Sequence, residues 1–391
     1  MPWLPLWLRT YQPTWLAGDL TAGLIVTVML IPQSLAYAML AGLPPEVGLY
    51  ASILPIVAYA LLGSSMALAV GPVAVASLMT ASALQPLAAA GSPDYVALAV
   101  QLSLISGVML LVFGALRLGF LAYFLSHPVI SGFITGSAVL IAVGQLKYIM
   151  GVKVAGSDVL ETLAGLVKAL PQTQPATLVI GVSSLLFLLL ARRYLAQGLI
   201  RVGCSAKAAD LMTKLAPMVA VIASTALVAG FKLNETAGVS VVGHVPQGLP
   251  HLALSLPNMT TLGQLWLPAL LITLIGFVES VSVAQSLALK RQQRIEPNRE
   301  LLGLGAANVA SALSGGYPVT GGFSRSVVNF AAGANTPLAG VISAALMALV
   351  IAALTGLFHY LPHAVLAATI IVAVTSLIDL KTLKEAWHYD R

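Results

Sequence analysis

The sequence predicts an all-α polytopic membrane protein made of two copies of one unit inserted in opposite orientations. Three observations lead there: an apolar composition nearly free of charge, a series of apolar runs about twenty residues long, and a weak internal repeat. Of 391 residues, 59% are hydrophobic and 8% are charged, and the mean hydropathy is +0.95. A soluble domain carries about 25% charged residues, so a water-soluble globular fold is excluded. A spanning helix with its connection takes roughly 30 residues, which leaves room for about a dozen spans.

Apolar runs place spans at 18–41, 46–63, 97–116, 128–150, 175–194 and 215–231. A second group follows at 264–288, 298–314, 337–357 and 363–378. Two shorter apolar pieces, 66–89 and 317–334, are interrupted by Gly and Pro. With residues 1–17 in the cytoplasm, fourteen of the nineteen Lys and Arg residues fall inside. Lys147, Lys153, Lys168 and Lys232 fall outside, and Arg325 lies within the apolar region. The positive-inside rule therefore predicts a cytoplasmic amino terminus. Met1-Pro2-Trp3-Leu4-Pro5 lacks a basic n-region and a small-residue cleavage site, so no cleaved signal peptide is expected.

The repeat is read from collinear matches. Gln33-Ser34-Leu35-Ala36 returns as Gln285-Ser286-Leu287-Ala288, an offset of 252, and Pro45, Leu49 and Gly63 meet Pro297, Leu301 and Gly315 at the same offset. Leu125-Ser126-His127-Pro128-Val129 returns as Leu361-Pro362-His363-Ala364-Val365, an offset of 236. Counting the broken pieces, the first copy has seven spans. An odd number turns the second copy upside down, the inverted-repeat plan of secondary transporters. The division that follows is a first repeat at 18–231, an outer loop at 232–263 and a second repeat at 264–391. Spans matching the sixth and seventh would fall beyond Arg391, so the second repeat is expected to be incomplete, with about 12 of 14 spans present.

The broken pieces carry the functional expectation. Leu68-Ala69-Val70-Gly71-Pro72-Val73-Ala74 and Tyr317-Pro318-Val319-Thr320-Gly321-Gly322-Phe323-Ser324-Arg325 each predict a short extended stretch leading into a half-helix. Non-helical backbone at membrane depth is tolerable only inside the protein or beside a wet cavity. Inversion aims the two half-helix amino termini at one another, and each presents free N–H groups and about half a positive charge. Arg325 adds a permanent charge. An anion site at the midplane is the expectation, with simple kinks as the competing reading.

Glu279 is the one carboxylate read as lying well inside a span, with Asp19 at the inner end of the first. A buried carboxylate must be protonated or paired. Arg325 is the expected partner, and a proton relay the expected role; a purely structural pair is the alternative. Gln33, Ser34 and Tyr37, just beyond Pro32, form a neutral polar group that either repairs the kink or donates to the substrate. Ser280, Ser282, Ser324 and Ser326 carry the same ambiguity. Gly303-Leu304-Gly305 lacks the third glycine of a dinucleotide loop and reads as helix packing. His127 and His363 read as interfacial helix starts. A single cysteine, Cys204, excludes an internal disulfide and a Cys-rich metal site. With a net charge of +6 and no basic stretch bearing stacking aromatics, no nucleic-acid partner is expected.

Asp19-Leu20-Thr21-Ala22-Gly23-Leu24, Ile31-Pro32-Gln33-Ser34-Leu35-Ala36-Tyr37-Ala38, Ala41-Gly42-Leu43-Pro44-Pro45 and Gly48-Leu49-Tyr50-Ala51-Ser52 resemble the amino-terminal signature of the sulfate permease (SulP) anion transporters. Ile295-Glu296-Pro297-Asn298 and Gly321-Gly322-Phe323-Ser324-Arg325-Ser326 are similar to that family too. The resemblance implies a seven-plus-seven inverted-repeat fold like that of nucleobase transporters, split into a mobile core and a gate domain, with an elevator-like motion. It implies a substrate site between the half-helices, with Val73 and Ala74 on one side and Phe323, Ser324 and Arg325 on the other. Gln33, Ser34, Tyr37 and the proton-coupling Glu279 would stand beside it. It further implies a homodimer and a carboxy-terminal STAS domain, which this sequence lacks together with the last two spans. The expected function is proton-coupled symport of a small anion of the sulfate, bicarbonate or dicarboxylate type across a bacterial inner membrane, with no resident cofactor or metal and no enzymatic activity. The alternatives are an anion exchanger, a sodium-coupled bicarbonate carrier, and a channel-like or voltage-sensing protein.

Overall fold

The computed structural model describes residues 5–123, 127–154, 159–250, 252 and 255–375. Lys381–Arg391, expected from the sequence as a cytoplasmic connection, lies outside them. In chain order the helices begin with α1 (Leu6–Arg9), α2 (Leu16–Leu40), α3 (Pro45–Tyr50) and α4 (Leu54–Leu62). Strand β1 (Val70–Gly71) leads into α5 (Ala74–Leu84), followed by α6 (Pro93–Ala115), α7 (His127–Met150) and α8 (Val159–Ala169). Next come α9 (Pro175–Leu190), α10 (Ala196–Arg201), α11 (Ala206–Lys214), α12 (Ala216–Phe231) and α13 (Leu233–Thr236). The chain continues through α14 (Met259–Leu289), α15 (Pro297–Leu313), β2 (Thr320–Gly321), α16 (Phe323–Ala331), α17 (Leu338–Ala353) and α18 (His363–Thr375).

Local chemistry explains many of these starts. Pro occupies the first turn of α3, α4, α6, α9, α12 and α15, where its missing N–H is not needed. Ser92 and Asn258 cap α6 and α14 by accepting from the N–H groups of Tyr95 (3.2 Å) and Thr261 (2.7 Å). Helices α7 and α18 begin at His127 and His363, as the repeat predicts. By length and composition, five described helical stretches can cross a membrane, six if the bent pair of α11 and α12 is one span. Helices α5, α17, α18 and the 138–150 part of α7 are apolar but shorter.

Two expected spans differ in detail. The run 46–63 is one spanning stretch with a local break at Ala51–Ile53, between α3 and α4. The sixth span extends to Arg201 through a π-helical stretch at Ala191–Leu195. The expected outer loop shortens, since α14 starts at Met259.

The chain forms two compact units. The first comprises Met1–Ile130 and Gly248–Ala352 and holds both strands and both half-helices. In it α15 packs on α6 and α4, and α14 on α6. Small residues allow the approach: a Cβ on Gly303 would lie 2.7 Å from Gly63 Cα, and one on Gly305 2.8 Å from Leu111 Cγ. The expected packing role of Gly303 and Gly305 holds. The second unit comprises Ser131–Gln247 and Ala353–Arg391. Here α18 packs on α9 and α12, and residues 240–243 run beside 359–363 through Val242 N–H to Leu361 O (2.9 Å) and His363 N–H to Ser240 O (3.0 Å).

Candidate functional site

The site grows from a ladder of two residues per strand. β1 and β2 are antiparallel, with Val70 opposite Gly321 and Gly71 opposite Thr320. Gly322 N–H extends the ladder to Ala69 O (3.0 Å). Gly71 has φ +153°, a backbone angle that side chains resist, and a Cβ there would come within 3.3 Å of Arg325 Nη2. Because the strands run oppositely, α5 and α16 leave the ladder in opposite directions and their amino termini stay together. A Cβ on Gly322, the residue before α16, would lie 3.3 Å from Val73 Cγ1, on the residue before α5.

Neither half-helix has a side-chain cap. The first amides used within them are Ser77 N–H to Val73 O (3.0 Å) and Ser326 N–H to Gly322 O (3.0 Å). The amides of Ala74, Val75 and Ala76, and those of Phe323, Ser324 and Arg325, therefore point forward as free donors. Val73 and Ala74 are buried, whereas Phe323 is 49% exposed and Ser324 is exposed beside it.

Arg325 is only 3% exposed. Its Nη1 donates to Pro72 O (2.7 Å), the carbonyl just before the first half-helix, and to Gln33 Oε1 (3.3 Å) on α2. Nε and Nη2 have no partner. A guanidinium buried with unspent donors calls for an acceptor. A cavity of about 20 Å³, room for one water, also touches it, between Leu30, Val70, Asn329 and Ser343.

The structure corrects the expected pairing of Glu279 with Arg325. No ion pair joins them; among the described residues the one pair within 4.0 Å is Lys214 with Asp210. Arg325 has been drawn to the Pro72 carbonyl and Gln33 instead. Glu279 keeps some accessible surface and interacts with Arg325 only through space, as does Tyr37, which is 7% exposed. Ser34 is not brought to the site: it is fully buried, and its Oγ meets Ser52 Oγ (2.7 Å) against the turn after α3. The other serines divide. Ser280 Oγ accepts from Gly321 N–H (2.8 Å) and holds β2 against α14, and Ser282 Oγ binds Val278 O (2.7 Å). Ser326 serves the ladder, and Ser324 alone lies free at a tip.

Sequence reasoning missed Glu300, in the first turns of α15. It is fully buried and accepts from Tyr59 Oη (2.7 Å), Ser64 N–H (2.8 Å), Ser64 Oγ (2.6 Å) and Ser65 N–H (3.0 Å). It fastens the approach to β1. Its place near the start of a predicted span was the available signal. Asp19 works similarly, accepting from Asn335 N–H (2.6 Å), Thr336 N–H (3.0 Å) and Thr336 Oγ1 (2.7 Å) ahead of α17.

The profile of the sulfate permease family matches residues 16–391. The chain is 37% identical over 388 residues to "Sulfate transporter 4.1, chloroplastic" of Arabidopsis thaliana, covering 98% of this chain and 55% of that protein. It is 36% identical over 383 residues to a probable sulfate transporter of Mycobacterium tuberculosis, covering 98% of this chain and 65% of that one. The chain thus spans between about half and two thirds of the length of these relatives. Among solved structures it superposes on SLC26A9 with a TM-score of 0.90 at 23% identity, covering 99% of this chain and 62% of that one. On the transmembrane domain of the cyanobacterium bicarbonate transporter BicA the TM-score is 0.82 at 24% identity, covering 95% and 92%. At such identities the likeness concerns the fold.

Proposed function

Since the chain belongs to the sulfate permease family, we propose that it moves a small oxyanion of the sulfate type across a membrane, bound between the amino termini of α5 and α16. One observation carries this reading: Arg325, 3% exposed, keeps Nε and Nη2 unpaired beside two uncapped helix ends. A site with forward amides on two sides and a guanidinium on a third meets the oxygens of an anion from several directions. Ala74, Phe323 and Ser324 supply backbone donors, Val73 lines the tip of α5, Gln33 steadies the guanidinium, and Tyr37 stands in the same field. The two relatives, a sulfate transporter and a probable sulfate transporter, support an oxyanion over a cation or a neutral solute.

Glu279 is the proposed coupling residue. Ionised, it opposes a second negative charge near Arg325; protonated, it leaves the guanidinium to the anion, so proton and anion travel together. Carriage follows an elevator-like displacement of the first compact unit, in a bacterial inner membrane with the amino terminus cytoplasmic, in a homodimer. Uptake of labelled sulfate into proteoliposomes containing the full-length protein, with and without an inward proton gradient, tests the scheme. Gradient-stimulated uptake that becomes gradient-independent in Glu279→Gln supports symport. Uptake that requires sodium, or an anion on the far side, assigns the protein to the carrier or exchanger alternatives.

A further inference from the structure

The two half-helices share a serine device set behind their amino-terminal tips. Ser77 is the fourth residue of α5 and Ser326 the fourth of α16. Each hydroxyl donates back to the residue preceding its own helix, Ser77 to Val73 O (2.8 Å) and Ser326 to Gly322 O (2.7 Å). A hydroxyl has a single proton, so each Oγ is left with acceptor capacity. Both turn it to the other repeat. Ser326 Oγ accepts from Ala69 N–H (2.9 Å), in the lead to β1, and Ser77 Oγ lies 2.9 Å from Tyr317 Oη, in the lead to β2. With the Ser77 proton committed to Val73 O, Tyr317 is the donor. Both serines and Tyr317 are fully buried.

Ala69 is held on both sides, its N–H by Ser326 and its carbonyl by Gly322 N–H. Asn329, one turn further along α16, adds Nδ2–H to Ala67 O (3.1 Å). The stitches run crosswise: each helix amino terminus is tied to the stretch that launches the opposite one. A two-residue ladder alone fixes few degrees of freedom, and these hydroxyls add to the contacts that hold the tips.

We propose that Ser77 and Ser326 are positioning residues that set the gap between the two half-helix amino termini and thereby the size of the oxyanion accepted there. The size-selection half of this rests on the anion site proposed above; the cross-repeat coupling does not. Two measurements on the full-length protein in nanodiscs test it. In hydrogen exchange, Ser326→Ala should raise exchange about threefold or more at 67–77 as well as at 322–331, and Ser77→Ala at 315–323 as well as at 73–84. Exchange that rises only in the mutated helix overturns the coupling. In competition binding with labelled sulfate, unlabelled sulfate, selenate, molybdate and tungstate form a series of tetrahedral dianions of increasing size. Each single variant should flatten the spread of their inhibition constants by about threefold, and the double variant by less than the product of the two. An equal loss for all four anions, or none, overturns the role in selection. Should the unmodified protein bind none of them, the anion site falls and size selection falls with it, while exchange still decides the coupling.

Discussion

Half-helices α5 and α16 share a backbone plan but not a chemistry. Both follow a two-residue strand, lack a side-chain cap and carry a back-bonded serine at the fourth position. The end of α5 offers only Val73, Ala74 and Val75, whereas α16 opens with Phe323, Ser324 and Arg325. Their neighbours diverge likewise. On α14 stands Glu279, while at the repeat-related place on α2 Thr27 is buried and spends its hydroxyl on Gly23 O (2.7 Å) and Ser343 Oγ (3.0 Å). The difference separates two contributions: the amide field belongs to both halves, and the ionisable groups to one.

Substitutions sharpen that contrast. The largest effect is expected from Arg325→Ala, which removes the buried guanidinium from the proposed anion site; binding of labelled sulfate should weaken by about 2–5 kcal/mol. Loss confined to transport with binding unchanged would assign Arg325 to movement instead. Gly322→Ala comes next. Its Cβ would lie 2.9 Å from Arg325 Nη2 and 3.1 Å from Cζ, so the guanidinium must shift, and affinity should fall at least tenfold, about 1.4 kcal/mol, in a titration. Glu279→Gln should keep anion binding within about threefold, roughly 0.7 kcal/mol, while abolishing the response to a proton gradient. The smallest is Thr27→Val, at the matching place in the quiet half. It should lower thermal stability by about 1 kcal/mol through the lost hydroxyl contacts and leave proton dependence intact. If Thr27→Val altered proton coupling as Glu279→Gln does, the division between halves would fail.

Local signals revealed much of this arrangement. Gly71-Pro72 and Gly321-Gly322 announce breaks because few other residues permit them, and the strands and half-helices appear at those places. Arg325 is conspicuous as a cation inside an apolar stretch. The hydrogen-bond partners were not legible, because they are set by packing between distant segments. Arg325 meets Pro72 O across 253 residues, and the carbonyl of a proline leaves no trace in a pattern of side chains. Polarity on the helix face suggested Ser34 as a ligand, yet Gly48 lets α3 approach closely enough for Ser52 to claim it. Opposite charge and the repeat-related place of its span pair Glu279 with Arg325, but neither registers the backbone acceptors nearer the guanidinium. Glu300 was overlooked because a carboxylate in a helix's first turn normally suggests solvent and dipole, not complete burial.

The most direct test is a density map of the full-length protein with selenate bound, recorded at an energy where selenium scatters anomalously. The account predicts one peak within hydrogen-bond distance of the leading amides of α5 and α16 and of Arg325, absent in Arg325→Ala. A peak elsewhere, away from both helix ends, or one that persists undiminished in Arg325→Ala would contradict it.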